Sequence, residues 1–294
     1  MLGWKAKGCR RRPWVQQPFT VMLMLSLTSY CGRVTAIFTD DFSVTWGVPN
    51  NAKLVNNGQI MQLILDNSTA SGFASKKTYL FGSIDMQIKL VPGNSAGTVT
   101  AYYFSSETSN HDEVDFEFLG NVTGEPYILQ TNVFSNGVGG REQRIYLWFD
   151  PAADFHTYSV LWNEQHVILS VDGIPIRRFA NNEAAGVPYL RTQAMRIYSS
   201  IWDGETWATR GGLDTIDWGE APFIAEYGAY KVEACEAEAG KACAVGKWWN
   251  EGAYQALGEA QQGQLSWVLR SFLVYDYCTD SSRYPVPPRE CSLP

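Results

Sequence analysis

The most constraining feature of this 294-residue chain is a long succession of short strand-like segments with no helical period between them. From residue 37 to about residue 228, runs rich in apolar residues are separated by Gly, Asn, Asp and Pro, which favour turns. Because no helices intervene, the pattern predicts an antiparallel sandwich or barrel. We therefore expect an all-β fold of two packed, curved sheets. Examples of the segments are TYLFGSIDMQIKL, EVDFEFLG, YILQTNVF, HTYSVLWN and MRIYSSIWD.

The last quarter of the chain has a different character. Residues 251–271 predict a helix because apolar residues recur near one face, although two glycines weaken the pattern. The segment SFLVYDYC that follows predicts one more strand, added to a sheet edge. We therefore divide the chain into a strand-rich domain at residues 37–228 and a C-terminal extension at residues 229–294. The apolar residues of the predicted helix are Tyr254, Leu257, Leu265, Val268 and Phe272.

The first 36 residues have the composition of a secretory signal peptide. A basic region comes first, the apolar stretch FTVMLMLSL follows, and VTA ending at Ala36 forms a small-residue cleavage pattern. The apolar stretch is too short to span a bilayer, which disfavours a membrane anchor; a buried strand is the other alternative. The basic lead is long, so an internal Met22 is an alternative start. We predict cleavage after Ala36 and a secreted protein.

Removal of residues 1–36 would make the chain strongly acidic. It deletes six of the 23 basic residues and none of the 30 acidic ones, which leaves 17 against 30 and changes the net charge from −7 to −13. An acidic chain is a poor partner for nucleic acid, whose phosphates repel it. We expect no nucleic-acid partner, no membrane association after cleavage, and a neutral or weakly charged substrate.

Four of the six cysteines lie in the predicted extension, at Cys235, Cys243, Cys278 and Cys291. An even number of cysteines in a secreted chain indicates disulfides, and four cysteines allow three pairings. We predict the nearest-neighbour bridges Cys235–Cys243 and Cys278–Cys291, which close two short loops. A zinc site is the alternative, but no paired C-x-x-C spacing supports it.

Residues 113–118, EVDFEF, alternate acidic and apolar side chains, which is typical of a strand with two different faces. Glu113, Asp115 and Glu117 share one face. A solvated face would more naturally mix charges of both signs, and calcium ligation usually recruits loop oxygens as well. Retaining glycosidases need two carboxyl groups about 5–5.5 Å apart, one as nucleophile and one as acid and then base. On a concave sheet this row can supply both, and mutual repulsion keeps one carboxyl protonated.

The segment HDEVDFEFLGN resembles the active-site strand of the xyloglucan endotransglucosylase/hydrolases of glycoside hydrolase family 16, which commonly have Ile in place of Val114. The resemblance continues through YILQTNVF, GREQRIYLWFDP, FHTYSVLWN, WATRGGLDTIDW, APF, WWN and YCTDSSRYP, and so covers nearly all of the predicted mature chain. It implies a β-jelly-roll sandwich that cleaves the β-1,4-glucan backbone of xyloglucan and rejoins it to another chain. We expect an extracellular enzyme of the cell wall or apoplast, a monomer with no cofactor and no metal.

The resemblance also implies roles for single residues. Glu113 is the nucleophile, Asp115 is the helper and Glu117 is the acid/base. Tyr103, Trp202 and Trp207 resemble sugar platforms, and Arg283 resembles an arginine on the acceptor side. The other residues placed along the cleft are Gln130, Thr131, Asn132, Gly140, Arg141, Glu142, Ala208 and Gly212.

Asn121 occupies the family's usual N-glycan position, in an Asn-Val-Thr sequon, and Asn67 begins a second sequon. A glycan acceptor must be exposed, so we predict a glycan on Asn121 and regard Asn67 as a further candidate.

Three alternative functions are compatible with this pattern: a mainly hydrolytic xyloglucanase, a transferase that prefers another β-glucan such as mixed-linkage glucan, and a noncatalytic glycan-binding sandwich. The sequence departs from the family at IWDGETW and GGLDTIDW, both on the acceptor side. The segment SNGVGGRE is short, whereas hydrolytic members tend to have a longer loop there. The resemblance therefore favours a transferase, with Trp202, Trp207 and Arg283 as the expected acceptor contacts.

Overall fold

The computed structural model describes residues 37–47, 50–237, 243 and 247–293. The signal peptide predicted at residues 1–36 lies outside the described residues. The two helices of the described part are α1 (Phe38–Asp41) and α2 (Glu259–Ser271). Its strands are β1 (Phe42–Trp46), β2 (Ala52–Val55), β3 (Ile60–Leu65), β4 (Ser71–Lys89), β5 (Thr98–Ser105), β6 (Glu113–Leu119), β7 (Ile128–Phe134), β8 (Gln143–Tyr146), β9 (His156–Trp162), β10 (His166–Val171), β11 (Ile174–Ala180), β12 (Met195–Asp203), β13 (Phe223–Glu236) and β14 (Leu273–Asp276).

The 19-residue strand β4 joins two layers of sheet. Its first part pairs with β1 and β12, and its second part pairs with β9 and β13. Between these parts Phe81 and Gly82 have φ of 65° and 149°, a conformation that interrupts an extended strand. A Cβ at Gly82 would lie 2.4 Å from Ala234, so only glycine allows β13 to approach this closely.

We call the two layers the front layer and the back layer. The front layer has the strand order β1-β4-β12-β5-β6-β7-β8-β14, and the back layer has the order β2-β3-β13-β4-β9-β10-β11. Every pairing is antiparallel. The prediction of an all-β sandwich of two antiparallel sheets is confirmed.

The apolar row of β6 faces the core between the layers. Val114, Phe116 and Phe118 are fully buried, as their alternation with the acids predicts. The ring of Phe118 meets the ring of Tyr158, on β9 of the back layer, edge to face at 4.7 Å between centroids. Edge-to-face aromatic packing adds to the burial of apolar area, and it fixes the position of β6 from behind.

The C-terminal residues extend the front layer. β14 pairs with β8 at the sheet edge, as the sequence predicts, and α2 packs against β11. The helix begins at Glu259 rather than at residue 251, because short 3₁₀ turns occupy residues 248–250 and 252–254. Strand β13 runs through the domain boundary that we predicted after residue 228. The two predicted bridges, Cys235–Cys243 and Cys278–Cys291, are present.

No helix within the described ranges is both long enough and apolar enough to cross a membrane.

Candidate active site

Glu113, Asp115 and Glu117 form a row on the face of β6 that points away from the core; we call it the acid row. Antiparallel pairing with β5 and β7 sets their neighbours. Asp115 lies opposite Tyr103 and Asn132, and Glu117 lies opposite Ala101 and Gln130. Because cross-strand partners share a face, these residues surround the acid row.

The acid row lies in a groove of about 680 Å³ on the front layer. Strand order divides the groove into two sides, one toward β12 and one toward β8. We call them the β12 arm and the β8 arm. The residues that line the β12 arm are Ala101, Tyr103, Ser200, Trp202 and Trp207. The residues that line the β8 arm are Gln130, Asn132, Phe134, Glu142, Arg144, Tyr275, Asp280 and Arg283.

The carboxylate of Glu117 is the end of a hydrogen-bonded chain in the β8 arm. The Gln130 side-chain amide donates to Glu117 Oε2 at 2.5 Å, and Arg144 Nε donates to Gln130 Oε1 at 2.7 Å. The Arg144 guanidinium lies 5.4 Å from the ring centroid of Tyr275, on β14. This chain fixes the carboxylate of Glu117 from one side and connects it to the C-terminal strand.

Burial raises the pKa of Glu117, and the negative charges of Glu113 and Glu142 raise it further. The hydrogen bond from Gln130 and the positive charge of Arg144 act in the opposite direction. A carboxyl group with a raised pKa keeps its proton to higher pH, which is the property a general acid needs.

The middle carboxyl, Asp115, is the most deeply buried of the row, with 6% of its surface exposed. Burial raises its pKa well above the ordinary value, and the charges of Glu113 and Glu117 add to the effect. Arg177, buried on β11, opposes the shift with its positive charge. Its guanidinium donates to the backbone and hydroxyl oxygens of Thr131, on the core side of β7. A positive charge therefore lies behind the acid row as well as beside it.

Burial also raises the pKa of Glu113, against a hydrogen bond from Ser105 and the charge of His111. The His111 ring lies 3.9 Å from the Glu113 carboxylate and packs on Phe134. Three interacting carboxyl groups with raised pKa values lose their protons in coupled steps, at higher pH than isolated carboxyl groups do. The arrangement thus provides both a carboxylate and a carboxylic acid in one groove.

The two arms differ in chemistry. In the β12 arm the rings of Trp202 and Trp207 lie 6.1 Å apart, and Tyr103 stacks on Tyr198 at 5.1 Å. In the β8 arm Arg283 forms an ion pair with Glu142 at 2.6 Å. The β12 arm therefore offers flat apolar surfaces, and the β8 arm offers directional charged groups.

Strand order places the three expected acceptor contacts, Trp202, Trp207 and Arg283, on opposite sides of the acid row. Trp202 is on β12, two strands to one side of β6. Arg283 contacts Glu142 at the start of β8, two strands to the other side. Four strand spacings correspond to about 19 Å along the sheet, so a ligand that touches both sides must be several sugar units long.

Five predicted cleft residues support the groove without lining it. Thr131 lies between two groove residues on β7, so strand alternation turns its side chain to the core. Arg141 is buried in an ion pair with Glu290 at 2.6 Å and donates to the carbonyl of Val133. The Gly140 carbonyl accepts a hydrogen bond from Tyr284.

The other two of these five residues shape the β12 arm from behind. Ala208 is buried against Val99 and Leu119, beneath the two tryptophans. Gly212 has a φ of +88°, and a Cβ there would lie 2.4 Å from the Thr206 carbonyl oxygen. Its role is a tight turn in the loop that carries Trp207.

Six groove-lining residues were not predicted. Alternation from Tyr103, Asn132 and Trp202 would have identified the members on β5, β7 and β12, because residues two positions apart share a strand face. The members on β8 and in the extension depend on pairing between distant segments, which alternation within one strand does not show. The six residues are Ala101, Phe134, Arg144, Ser200, Tyr275 and Asp280.

Comparison with protein-family models gives two matches in this chain. The model of glycosyl hydrolases family 16 matches residues 38–220. The model of the xyloglucan endo-transglycosylase C-terminus matches residues 243–291. The first match contains the acid row and the β12 arm, and the second contains the outer part of the β8 arm.

Curated relatives match over most of their length. A probable xyloglucan endotransglucosylase/hydrolase 1 of Solanum lycopersicum is 50% identical over 92% of this chain and 95% of its own. Xyloglucan endotransglucosylase protein 34 of Populus tremula x Populus tremuloides is 53% identical over 88% of both chains.

Solved structures share the fold of the larger part of the chain. A Crh5 transglycosylase is 26% identical with a TM-score of 0.55, over 68% of this chain and 80% of that one. A Bacillus licheniformis β-glucanase is 22% identical with a TM-score of 0.53, over 68% of this chain and 94% of that one; this likeness concerns the fold alone.

Proposed function

Because the chain belongs to the xyloglucan endotransglucosylase/hydrolases of glycosyl hydrolase family 16, we propose that it cuts the β-1,4-glucan backbone of xyloglucan and joins the cut end to another xyloglucan chain. The observation that carries the proposal is the acid row, which lies in a groove whose lining continues on both sides of it. Residues on both sides of the acid row can contact sugar units on both sides of the bond that is cut, as endo-cleavage requires. The function is construction and remodelling of the cell wall.

The first step forms a glycosyl-enzyme. A Glu113 carboxylate oxygen attacks the anomeric carbon of the donor and forms an ester bond. The glycosidic bond breaks, and Glu117 gives its proton to the departing oxygen. Burial and the neighbouring charges, which raise the pKa of Glu117, support this assignment of the acid.

The second step reverses the first with a different alcohol. An acceptor sugar hydroxyl attacks the same anomeric carbon, and Glu117 takes its proton. The ester bond breaks and returns the electron pair to Glu113. Two displacements at one carbon retain its configuration. If water replaces the acceptor, the same step is hydrolysis.

Asp115 acts as the helper between the two glutamates. Its strongly raised pKa supports a protonated state at rest, in which it donates a hydrogen bond to a neighbouring carboxylate. The deep burial of this residue supports a fixed position. This role holds Glu113 in orientation for attack and balances the charge of the row.

We infer that the donor chain occupies the β12 arm and the acceptor occupies the β8 arm. Aromatic faces suit the apolar C–H faces of glucosyl rings. The Arg283–Glu142 pair and Arg144 suit the fixed orientation of an acceptor hydroxyl, in agreement with the resemblance of Arg283 to an acceptor-side arginine. This assignment moves Trp202 and Trp207 from the expected acceptor site to the donor site, and it keeps Arg283 as an acceptor contact.

Transfer exceeds hydrolysis only when an acceptor excludes water and aligns its hydroxyl. The turn at residues 135–138 is short and closed by the Ser135–Val138 bridge, which supports an acceptor site that no long loop covers. A mainly hydrolytic enzyme and a transferase acting on another β-glucan are the alternatives. We place the enzyme outside the cell, where its two disulfides persist.

Glycosylation remains a prediction. Asn67 is exposed, whereas Asn121 is half-buried and its side-chain amide donates to the Pro126 carbonyl. Peptide mass spectrometry of protein secreted from a glycosylating host tests both positions. Unmodified Asn121 in that protein would contradict the prediction.

One assay tests the proposed function. The protein is incubated with xyloglucan, with and without a labelled xylogluco-oligosaccharide acceptor, and label transfer is compared with the release of new reducing ends. We expect transfer to exceed release at saturating acceptor. Equal rates would favour the hydrolytic alternative, and activity on mixed-linkage glucan alone would favour the other substrate.

A further inference from the structure

Strand β1 has a bulge that changes the face on which Trp46 lies. Phe42 is buried in the core and Val44 packs against it, so strict alternation would turn Trp46 to the core as well. The pairing with β4 shifts between Val44, opposite Phe73, and Trp46, opposite Gly72. A bulge inserts one residue and re-aims the side chains that follow it.

The result is an indole ring on the outer face of the front layer. Gly72 precedes the core residue Phe73, so a Cβ at Gly72 would point away from the core. That Cβ would lie 2.7 Å from Cη2 of Trp46, which shows that the indole occupies the space above Gly72. The ring stays 38% exposed. Glycine at this position allows the indole to lie over β4.

This ring is in line with the acid row. Gly72 pairs with Ser200 on β12, Ser200 pairs with Ala101 on β5, and Ala101 pairs with Glu117 on β6. The three residues between Trp46 and Glu117 are small, so they form a low floor with no side chain large enough to block a polymer. The floor spans four strand spacings, or about 19 Å along the sheet.

We propose that Trp46 is a distal binding platform for the donor chain, stacking on a glucosyl ring several units from the bond that is cut. This inference rests on the proposed function, because it requires a β-glucan chain in the β12 arm. A partly exposed indole beside a floor of small residues suits the C–H face of a sugar, and its position beyond Trp202 extends the arm. Unlike the reacting centre, this contact is available only to donors that are long enough to reach it.

The test uses activated donors, xylogluco-oligosaccharides with an aryl leaving group, whose glucan backbone lengthens by one glucosyl unit at a time. For the wild type we expect kcat/KM to rise with length and to gain a final increase when the chain reaches Trp46. Trp46→Ala should lose that last increase, about ten-fold for long donors, and match the wild type on short donors. Trp46→Phe should keep part of it.

Trp267→Ala is a matched control, because Trp267 is also a tryptophan with 38% exposure but lies on α2 against Trp148 and Phe272. It should leave the length dependence unchanged. An equal loss on short and long donors would assign Trp46 a structural role and overturn the proposal. So would an unchanged Trp46→Ala protein or a wild type without length dependence.

A binding readout separates this inference from the proposed function. Calorimetry on Glu113→Ala protein, with and without Trp46→Ala, measures affinity for the same oligosaccharides without turnover. Weaker binding of long chains alone supports the platform even if the wild type transfers no label. If the wild type transfers label but Trp46→Ala weakens no binding, the proposed function stands and the platform is wrong.

Discussion

The two arms of the groove are built from the same sheet but from different kinds of residue. The β12 arm has small residues on its floor and the rings of Trp202 and Trp207 beside it. The β8 arm has a hydrogen bond from Arg144 to Gln130 and an ion pair between Arg283 and Glu142. Aromatic faces accept any glucosyl unit in several positions, whereas hydrogen-bonded ions accept one orientation.

This difference corresponds to the needs of a transferase. A donor polymer can be cut at many of its bonds, so donor binding benefits from contacts that any glucosyl unit along the polymer can make. An acceptor must present one hydroxyl to one carbon, so its site gains from fixed donors and acceptors of hydrogen bonds. The outer part of the β8 arm comes from the C-terminal residues Tyr275 and Arg283. The extension thus completes the arm of the groove that we propose for the acceptor.

The largest effect should come from the acid row, which both arms share. Glu113→Ala removes the proposed nucleophile, and we expect turnover to fall to below about one-thousandth of the wild-type value. Binding of xylogluco-oligosaccharide should remain nearly intact, because the arms stay unchanged. Initial rates and calorimetry measure the two quantities.

Glu259→Ala, at an exposed position on α2, is the control for Glu113→Ala and should have wild-type turnover. Near-wild-type activity of Glu113→Ala would show that another residue is the nucleophile. The acid row would then no longer be the reacting centre that the two arms share.

The second effect concerns the hydrogen bond that links the β8 arm to Glu117. In Gln130→Leu the carboxylate loses its donor, so the pKa of Glu117 should rise further. Formation of the glycosyl-enzyme in our proposal needs protonated Glu117, so the alkaline limb of the kcat/KM profile should move to higher pH. We also expect the maximal rate to fall about ten-fold, because the carboxylate is less well oriented.

Gln87→Leu, at a half-buried position on β4, is the control and should leave the pH profile unchanged. An alkaline limb that stays in place or moves to lower pH in Gln130→Leu would show that this hydrogen bond does not hold the ionised form of the general acid.

The third effect separates the arms from each other. Arg283→Ala should lower the ratio of transfer to hydrolysis about ten-fold, since an ion-paired donor of hydrogen bonds is lost from the β8 arm. Trp202→Ala should slow formation of the glycosyl-enzyme and leave that ratio nearly unchanged. Label transfer and reducing-end release are measured in the same reaction.

Arg191→Ala removes another arginine in an exposed ion pair, with Glu183, and serves as the control. If Trp202→Ala changes the ratio more than Arg283→Ala does, the assignment of donor and acceptor to the two arms is reversed.

The smallest effect is on stability. The pKa of Asp115 is raised in the folded chain, so the folded state keeps a proton that the unfolded state releases. Wild-type stability should therefore fall as pH rises from the ordinary Asp pKa toward the raised value. Asp115→Asn does not titrate, and we expect it to gain about 1–2 kcal/mol over the wild type at neutral pH.

Below about pH 4, where both states of the wild type are protonated, this difference between Asp115→Asn and the wild type should vanish. Urea unfolding at several pH values measures it. A gap that is independent of pH would contradict the electrostatic origin of the effect.

Much of the front layer could be predicted from the sequence, because strand alternation is a local property. The acid row and the core row of β6 follow directly from EVDFEF. Alternation also predicts the position of Thr131, because a residue between Gln130 and Asn132 must point to the core face of β7. The resemblance to a family motif instead led us to place Thr131 along the groove.

Other features depend on contacts between distant segments. Arg144 and Tyr275 are partners only because β14 pairs with β8, and no local pattern encodes that pairing. Trp46 was missed because a bulge reverses the face that the alternation of Phe42 and Val44 predicts. Strand β13 was missed because its second half is half-buried without regular alternation, across the expected domain boundary.

The central claim is that a glycosyl-enzyme on Glu113 persists until an acceptor binds in the β8 arm. Mass spectrometry of rapidly quenched reactions, with xyloglucan as donor, measures the sugar-modified peptide that contains Glu113. We predict that the ester accumulates without acceptor and disappears quickly when xylogluco-oligosaccharide is added, and that in Arg283→Ala the acceptor accelerates this loss much less. No ester on Glu113, or a decay that acceptor does not accelerate in the wild type, would contradict the account.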